Sequence, residues 1–169
     1  MISRIPISGS GIVAPGAIGV DAFRALLRSG QTAIQPVDRF DTNGLNAHEA
    51  GLVRDFSPKD FIAPMKMRRM NMLSRLALSA AKLALRDAGI DALDPATGVA
   101  LGTAFGPVQT SVDYMQEYVE KGAALAPPQL FAESVANAPG SHIAIELGLR
   151  GFNVTITQRE SSALAAAMY

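Results

Sequence analysis

The residues best suited to chemistry crowd toward the end of the chain, in the stretch NVTITQRESSALAAAMY (153–169). An alternating β-branched run, Val154 to Thr157, stops at polar residues and restarts as an alanine-rich segment with helical character. Strand, tight turn and helix together form an elbow that can hold a nucleophile clear of its neighbours. At the bend stands Glu160, with Arg159 before it and Ser161 after it. A carboxylate there has two readings. It can cap the helix, since free N–H groups and the macrodipole favour negative charge in the first turn. It could instead attack an acyl donor, but the product would be a reactive anhydride, a poor vehicle for acyl transfer. Taken as a lone glutamate, Glu160 reads as a cap.

Other candidates are weaker. His48 and His142 are the only histidines, and there is no cysteine. Disulfides, thiolate metal sites and cysteine nucleophiles are therefore excluded from this segment, and no local His/Cys spacing predicts a metal. His142, in NAPGSHIAIELG, could serve as a general base, though a hydrogen-bonded structural histidine near a helix start is the better reading. His48 lies in a polar stretch and reads as solvated. The loop GTAFGPVQT carries Gly102 and Gly106, but a phosphate-cradling loop needs a lysine and a hydroxyl after the glycines, and Pro107-Val108 supplies neither. It reads as a tight strand-to-helix turn with Phe105 at its tip. MKMRRMNM could be a soft recognition surface, but it reads better as the packed start of an amphipathic helix.

These residues need a scaffold, and composition says that one exists. In 169 residues, 49% are hydrophobic and 15 basic side chains balance 15 acidic ones. That predicts a folded core and argues against nucleic acid as a partner. No apolar run approaches a membrane span and no signal peptide is evident, so the expectation is a cytoplasmic protein.

Ile2 to Val13 reads as a strand or hairpin, and GVDAFRALLRSG as a helix closed by Gly30. Gln31 to Pro64 is polar and turn-rich, a long surface excursion. RRMNMLSRLALSAAKLALRDAG predicts a long helix from Arg68 to Asp87, apolar around most of its girth with a polar stripe at Arg68, Asn71, Arg75, Ser79, Lys82 and Arg86. Gly98 to Thr103 reads as a buried strand, Pro139 to Leu147 as a helix and Phe152 to Thr157 as a strand. Alternation of helix and strand predicts an α/β sandwich, with no internal repeat or domain boundary.

In order and spacing, these segments resemble the N-terminal half of β-ketoacyl-acyl-carrier-protein synthases. The matching stretches are RIPISGSGIVAPGAIGVDAFRALLRSGQTAIQPVDRFD, RRMNMLSRLALSAAKLALRDAGID, GVALGTAFGPVQTSVDYMQEYVEKG and FAESVANAPGSHIAIELGLRGFNVTITQRESSALAA. The resemblance implies a thiolase-like layered α/β/α sandwich. Residues 1–169 would form the first half of its duplication and end just past the nucleophile elbow, with the second half a separate or missing piece. In active members the elbow reads Thr-Ala-Cys-Ser-Ser or a close relative. Here the run is Gln158-Arg159-Glu160-Ser161-Ser162, so Glu160 takes the place of the acylated cysteine, and Phe152 that of a common proline.

A thiolate yields an exchangeable thioester, whereas a carboxylate presents negative charge to the incoming carbonyl. The resemblance therefore implies a subunit like the chain-length factors of type II polyketide systems, in which glutamine commonly replaces that cysteine. Such a subunit pairs with an active synthase and works with acyl carrier protein. By the same resemblance, Asn153, Val154, Thr155, Ile156 and Thr157 would pair across the dimer, and Phe105, Gln129 and Phe131 would face the acyl tunnel. No cofactor or metal is implied. The alternatives are a cysteine-less malonyl-carrier-protein decarboxylase, a truncated remnant, and an engineered exchange, which the further changes at Arg159 and Phe152 disfavour.

Overall fold

The structure, a computed structural model, describes residues 5–169. Its contacts define two compact units. The first gathers the described residues up to Ser57 with Ser79–Gly89, and the second gathers Pro58–Leu78 with Ile90–Tyr169. Each is assembled from two separated stretches, so no linker composition marks them in the sequence.

The first unit opens with a hairpin of β1 (Val13–Ala14) and β2 (Ala17–Ile18), paired Val13 to Ile18 and Ala14 to Ala17. Pro15 presets one corner of its turn, and Gly16, at φ 71°, takes the left-handed one. Helix α1 (Val20–Ser29) follows and ends where Gly30 turns left-handed at φ 67°. Part of the expected polar excursion is a second hairpin: β3 (Ile34–Pro36) pairs antiparallel with β4 (Glu49–Gly51). Arg54 ties its base, donating from Nη1 to Asp38 Oδ2 at 2.6 Å and from Nη2 to the Pro36 carbonyl at 2.9 Å.

Helix α2 (Pro64–Met67) is short, and the long helix α3 spans Met72–Ala88. The expected single helix from Arg68 therefore begins four residues late. Asn71 is the reason: its Oδ1 accepts the Ser74 N–H at 2.7 Å, an N-cap that starts the helix afresh. The polar stripe is not simply solvated either, because Ser79 is fully buried, as are Ser74 and Leu78. The methionine cluster divides: Met70 is buried, while Met65 and Met72 are exposed. In the first unit, α3 comes so close to the N-terminal segment that a Cβ on Gly11 would lie 1.8 Å from the Ala80 carbonyl oxygen. That segment is not the expected strand. Residues 5–12 pair with no strand among the described residues, and Ile5 and Ile7 are exposed. The earliest part of that expectation, Ile2–Arg4, lies outside the described residues.

The second unit is layered. Strand β5 (Val99–Gly102) leads to α4 (Val108–Lys121), α5 (Pro128–Ser134) and α6 (Ala138–Leu147). Strand β6 (Asn153–Ile156) then runs parallel to β5, with Val99 opposite Asn153 and Gly102 opposite Ile156. A 3-10 turn, Arg159–Ser161, opens α7 (Ser162–Ala166). Side chains alternate across the sheet. Asn153, Thr155 and Leu101 face α6, where Gly140 allows close approach: a Cβ there would lie 2.9 Å from Asn153 Oδ1. Gly102 faces the other way and makes room for α7, since its Cβ would meet the Ser162 carbonyl oxygen at 2.4 Å. Helix, parallel sheet and helix form a local α/β/α sandwich, as the alternating pattern predicts.

Candidate functional site

In open parallel sheets, function gathers where the strands end at their carboxyl side. Here β5 ends at Gly102 and β6 at Ile156, side by side, and the Thr103 N–H donates to the Ile156 carbonyl at 3.0 Å. Beyond β6 the chain makes the elbow. Arg159, at φ 50°, is the only non-glycine residue with positive φ among the described residues. For an L-residue that geometry is held only where its surroundings over-determine it.

Ser162 does the holding. It is 2% exposed. Its Oγ accepts the Gln158 N–H at 2.8 Å and lies 2.7 Å from the Arg159 carbonyl and 2.9 Å from the Thr103 carbonyl. One hydroxyl proton serves one carbonyl at a time, so the side chain closes the turn and ties it to the end of β5. Nothing in the sequence around Ser162 marks it for this role. The only available signal was a small hydroxyl residue just past a bend, which is common in turns.

Glu160 projects from this frame. It is exposed and makes no hydrogen bond or ion pair among the described residues. The structure therefore corrects the capping reading: the helix start has no side-chain cap, and the turn is secured by Ser162 instead. The elbow itself is present as expected.

The expected tunnel residues sit in the β5–α4 turn and on α5. Phe105 is 71% exposed at the tip of the β5–α4 turn, where Gly106 adopts φ 69°. It begins an apolar groove continued by Val108, Val112, Met115 and Val119, one stripe of α4 at helical spacing. Phe131 packs on Tyr114 of α4 with ring centroids 5.5 Å apart. Gln129 points elsewhere, donating from Nε2 to the Arg69 carbonyl at 3.2 Å. Phe105 and Phe131 thus both lie along α4, whereas Gln129 is tied to the segment before α3. Of the expected dimer strand, Asn153 to Ile156 are in β6 and Thr157 lies just beyond it. The Phe152 and Ile156 carbonyls bond to β5, so by strand alternation the backbone groups of Asn153, Thr155 and Thr157 face away from it. No strand occupies that side among the described residues.

His142 belongs to a buried network. Its Nε2 lies 2.6 Å from Glu133 Oε1, as the structural reading requires. His48, exposed, contacts Thr42 Oγ1 through Nδ1 at 3.0 Å. Among the described residues no acidic, His or Cys cluster is suited to a metal ion, and no helix is long and apolar enough to cross a membrane.

A parallel α/β/α layer with a strand-to-helix elbow at its carboxyl edge defines a class of scaffolds that display one side chain at the bend, and likeness to known proteins narrows it to one family. The N-terminal domain of the β-ketoacyl synthases matches residues 3–169, and the chain belongs to that family. It is 30% identical to the chloroplastic 3-oxoacyl-[acyl-carrier-protein] synthase I of Hordeum vulgare, over 98% of this chain and 37% of that one. It is 32% identical to the tetracenomycin polyketide synthase ketoacyl synthase alpha subunit of Streptomyces glaucescens, over 98% of this chain and 41% of that one. Among solved structures, the ishigamide ketosynthase/chain length factor matches with a TM-score of 0.78 and 27% identity, over 89% of this chain and 39% of that one. The fold is thiolase-like, and the chain spans about two-fifths of these relatives' length.

Proposed function

We propose that this chain is a ketosynthase-like subunit that accepts no acyl group itself, pairs with an active β-ketoacyl synthase and shapes the tunnel in which that partner's chain grows. The observation that carries this reading is Glu160. It stands at the tip of an elbow whose backbone is tied in place by Ser162, where a thiolate would be needed to accept an acyl group. An exposed carboxylate repels an approaching thioester oxygen and has no thiolate-like exchange chemistry.

Three further features support the pairing. The outer side of β6 has no strand beside it among the described residues, and such an edge is a natural seat for a second strand. An apolar stripe from Phe105 to Val119 lies open on α4, and such continuous apolar surface marks interaction sites. A ketosynthase/chain length factor is also among the structures that this chain resembles. In this reading the partner contributes the cysteine, acyl carrier protein delivers the substrates, and Phe105 and Phe131 set by exclusion how far a chain extends.

The test is acyl labelling of the purified assembly. Label confined to the partner, with product formation lost when either subunit is omitted, is the expected outcome. Stoichiometric label on Glu160 overturns the reading. Carbon dioxide release from malonyl-carrier protein with the partner's cysteine blocked replaces it with the decarboxylase reading. Glu160→Cys combined with Arg159→Ala should restore detectable acylation, because the elbow is already in place.

A further inference from the structure

Glu133 is the one buried acidic residue among the described residues, at 7% exposure. A carboxylate held out of water needs strong partners, and this one has them. Oε2 accepts the Asn71 backbone N–H at 2.9 Å, and Oε1 lies 2.6 Å from His142 Nε2. The Glu133 carbonyl accepts Asn71 Nδ2 at 2.8 Å, while Asn71 Oδ1 caps α3 through the Ser74 N–H. One residue of α5 is thereby fastened to the start of α3 and to the middle of α6.

The helical period gives this knot a direction. Gln129 and Glu133 are four residues apart, hence on one face of α5, and both reach the Arg69–Asn71 segment. Phe131 lies about 200° from each, by helical geometry, on the face that meets Tyr114. Clamping the Glu133 face therefore fixes where Phe131 stands. Ser111 adds a lighter tie on the α4 side, with its Oγ 3.0 Å from the Ser134 carbonyl.

We infer that Glu133, through Asn71 and His142, is a positioning residue that holds α5 in place and so determines where the Phe131 ring limits the growing chain. The inference rests on the tunnel reading given above. It moves part of the length specificity away from the tunnel wall, to a polar knot that never touches substrate.

The experiment uses the full chain with its synthase partner and compares Glu133→Ala, Glu133→Gln and Phe131→Ala. Two quantities are read: amide exchange at Asn71 and along α5, and the distribution of product lengths at matched turnover. Glu133→Ala should speed Asn71 exchange by roughly tenfold or more, since a bond to a charged acceptor is lost. It should also lengthen or broaden the products in the same sense as Phe131→Ala. Glu133→Gln retains one acceptor oxygen and the side-chain volume, so it should give an intermediate shift. If Phe131→Ala changes the products but neither Glu133 variant does, the inference is overturned and the tunnel reading stands. If Phe131→Ala also leaves the products unchanged, the tunnel reading fails, and the specificity role of Glu133 fails with it. Should Glu133→Ala not fold, Glu133→Gln decides by the same criteria.

Discussion

The elbow and the outer face of α4 lie in the same compact unit and solve opposite problems. At the elbow, Ser162 is buried, its hydroxyl is committed to backbone partners on both sides, and a strained residue is held without any help from Glu160. On α4, Val108, Val112, Met115 and Val119 are each more than half exposed. One region is satisfied within itself; the other is an apolar surface that the described residues leave open. The elbow is thus held by interactions in which Glu160 takes no part.

The comparison breaks most readily at Gly102. A Cβ there would meet the backbone of Ser162 and Ala163 at 2.4–2.6 Å, and backbone cannot swing aside. Gly102→Ala should cost about 3 kcal/mol or more, read as a lower denaturant midpoint, because it wedges α7 off the sheet. Next comes Ser162→Ala. It strips the Gln158 N–H of its acceptor and a backbone carbonyl of its donor, for an expected loss of about 1–3 kcal/mol in the same measurement. Arg159→Gly should be neutral or stabilising by up to about 1 kcal/mol, since glycine removes the cost of positive φ while adding freedom to the unfolded chain. A clear loss there would show that the Arg159 side chain has a structural task.

On the open face, Val112→Ser should move stability by no more than about 0.5 kcal/mol while weakening association with a partner, which ultracentrifugation or calorimetry would report. The smallest effect belongs to Asp38→Asn in the β3–β4 hairpin. Hydrogen bonding to Arg54 holds the Asp38 carboxyl below its ordinary value of 3.8, and raises Arg54 in turn. A lowered carboxylate stabilises the fold above its unfolded value and loses that contribution as pH falls through the folded one. The variant and the parent should therefore converge only below about pH 4 in acid-unfolding curves, with a small gap above it, because the pair is exposed.

Much of this was legible in the sequence wherever a local signal agreed with its surroundings. Gly30 and Gly148 close α1 and α6 in the left-handed conformation that glycine tolerates, and both ends were marked by those residues. The β-branched run of β6 and the Phe105 turn were visible for the same reason. The start of α3 was misplaced because Arg68 and Asn71 continued the polar stripe, and periodicity overrode the capping asparagine that interrupts it. Strand β4, Glu-Ala-Gly, has no β-branched residue and forms only because Ile34–Pro36 lies alongside it. The Ile5 to Ile12 segment shows the converse: suitable residues make no strand without a neighbour. The Glu133 knot joins residues 62 apart in the chain, a separation that no window of sequence can read.

The unpaired side of β6 has a practical consequence. Its outward N–H and C=O groups are chemically indifferent to what they bind, so any extended backbone that arrives there can extend the sheet. During synthesis, timing and abundance then matter as much as recognition. Under the pairing proposed above, a cell making this polypeptide ahead of its companion would be expected to lose it to self-association.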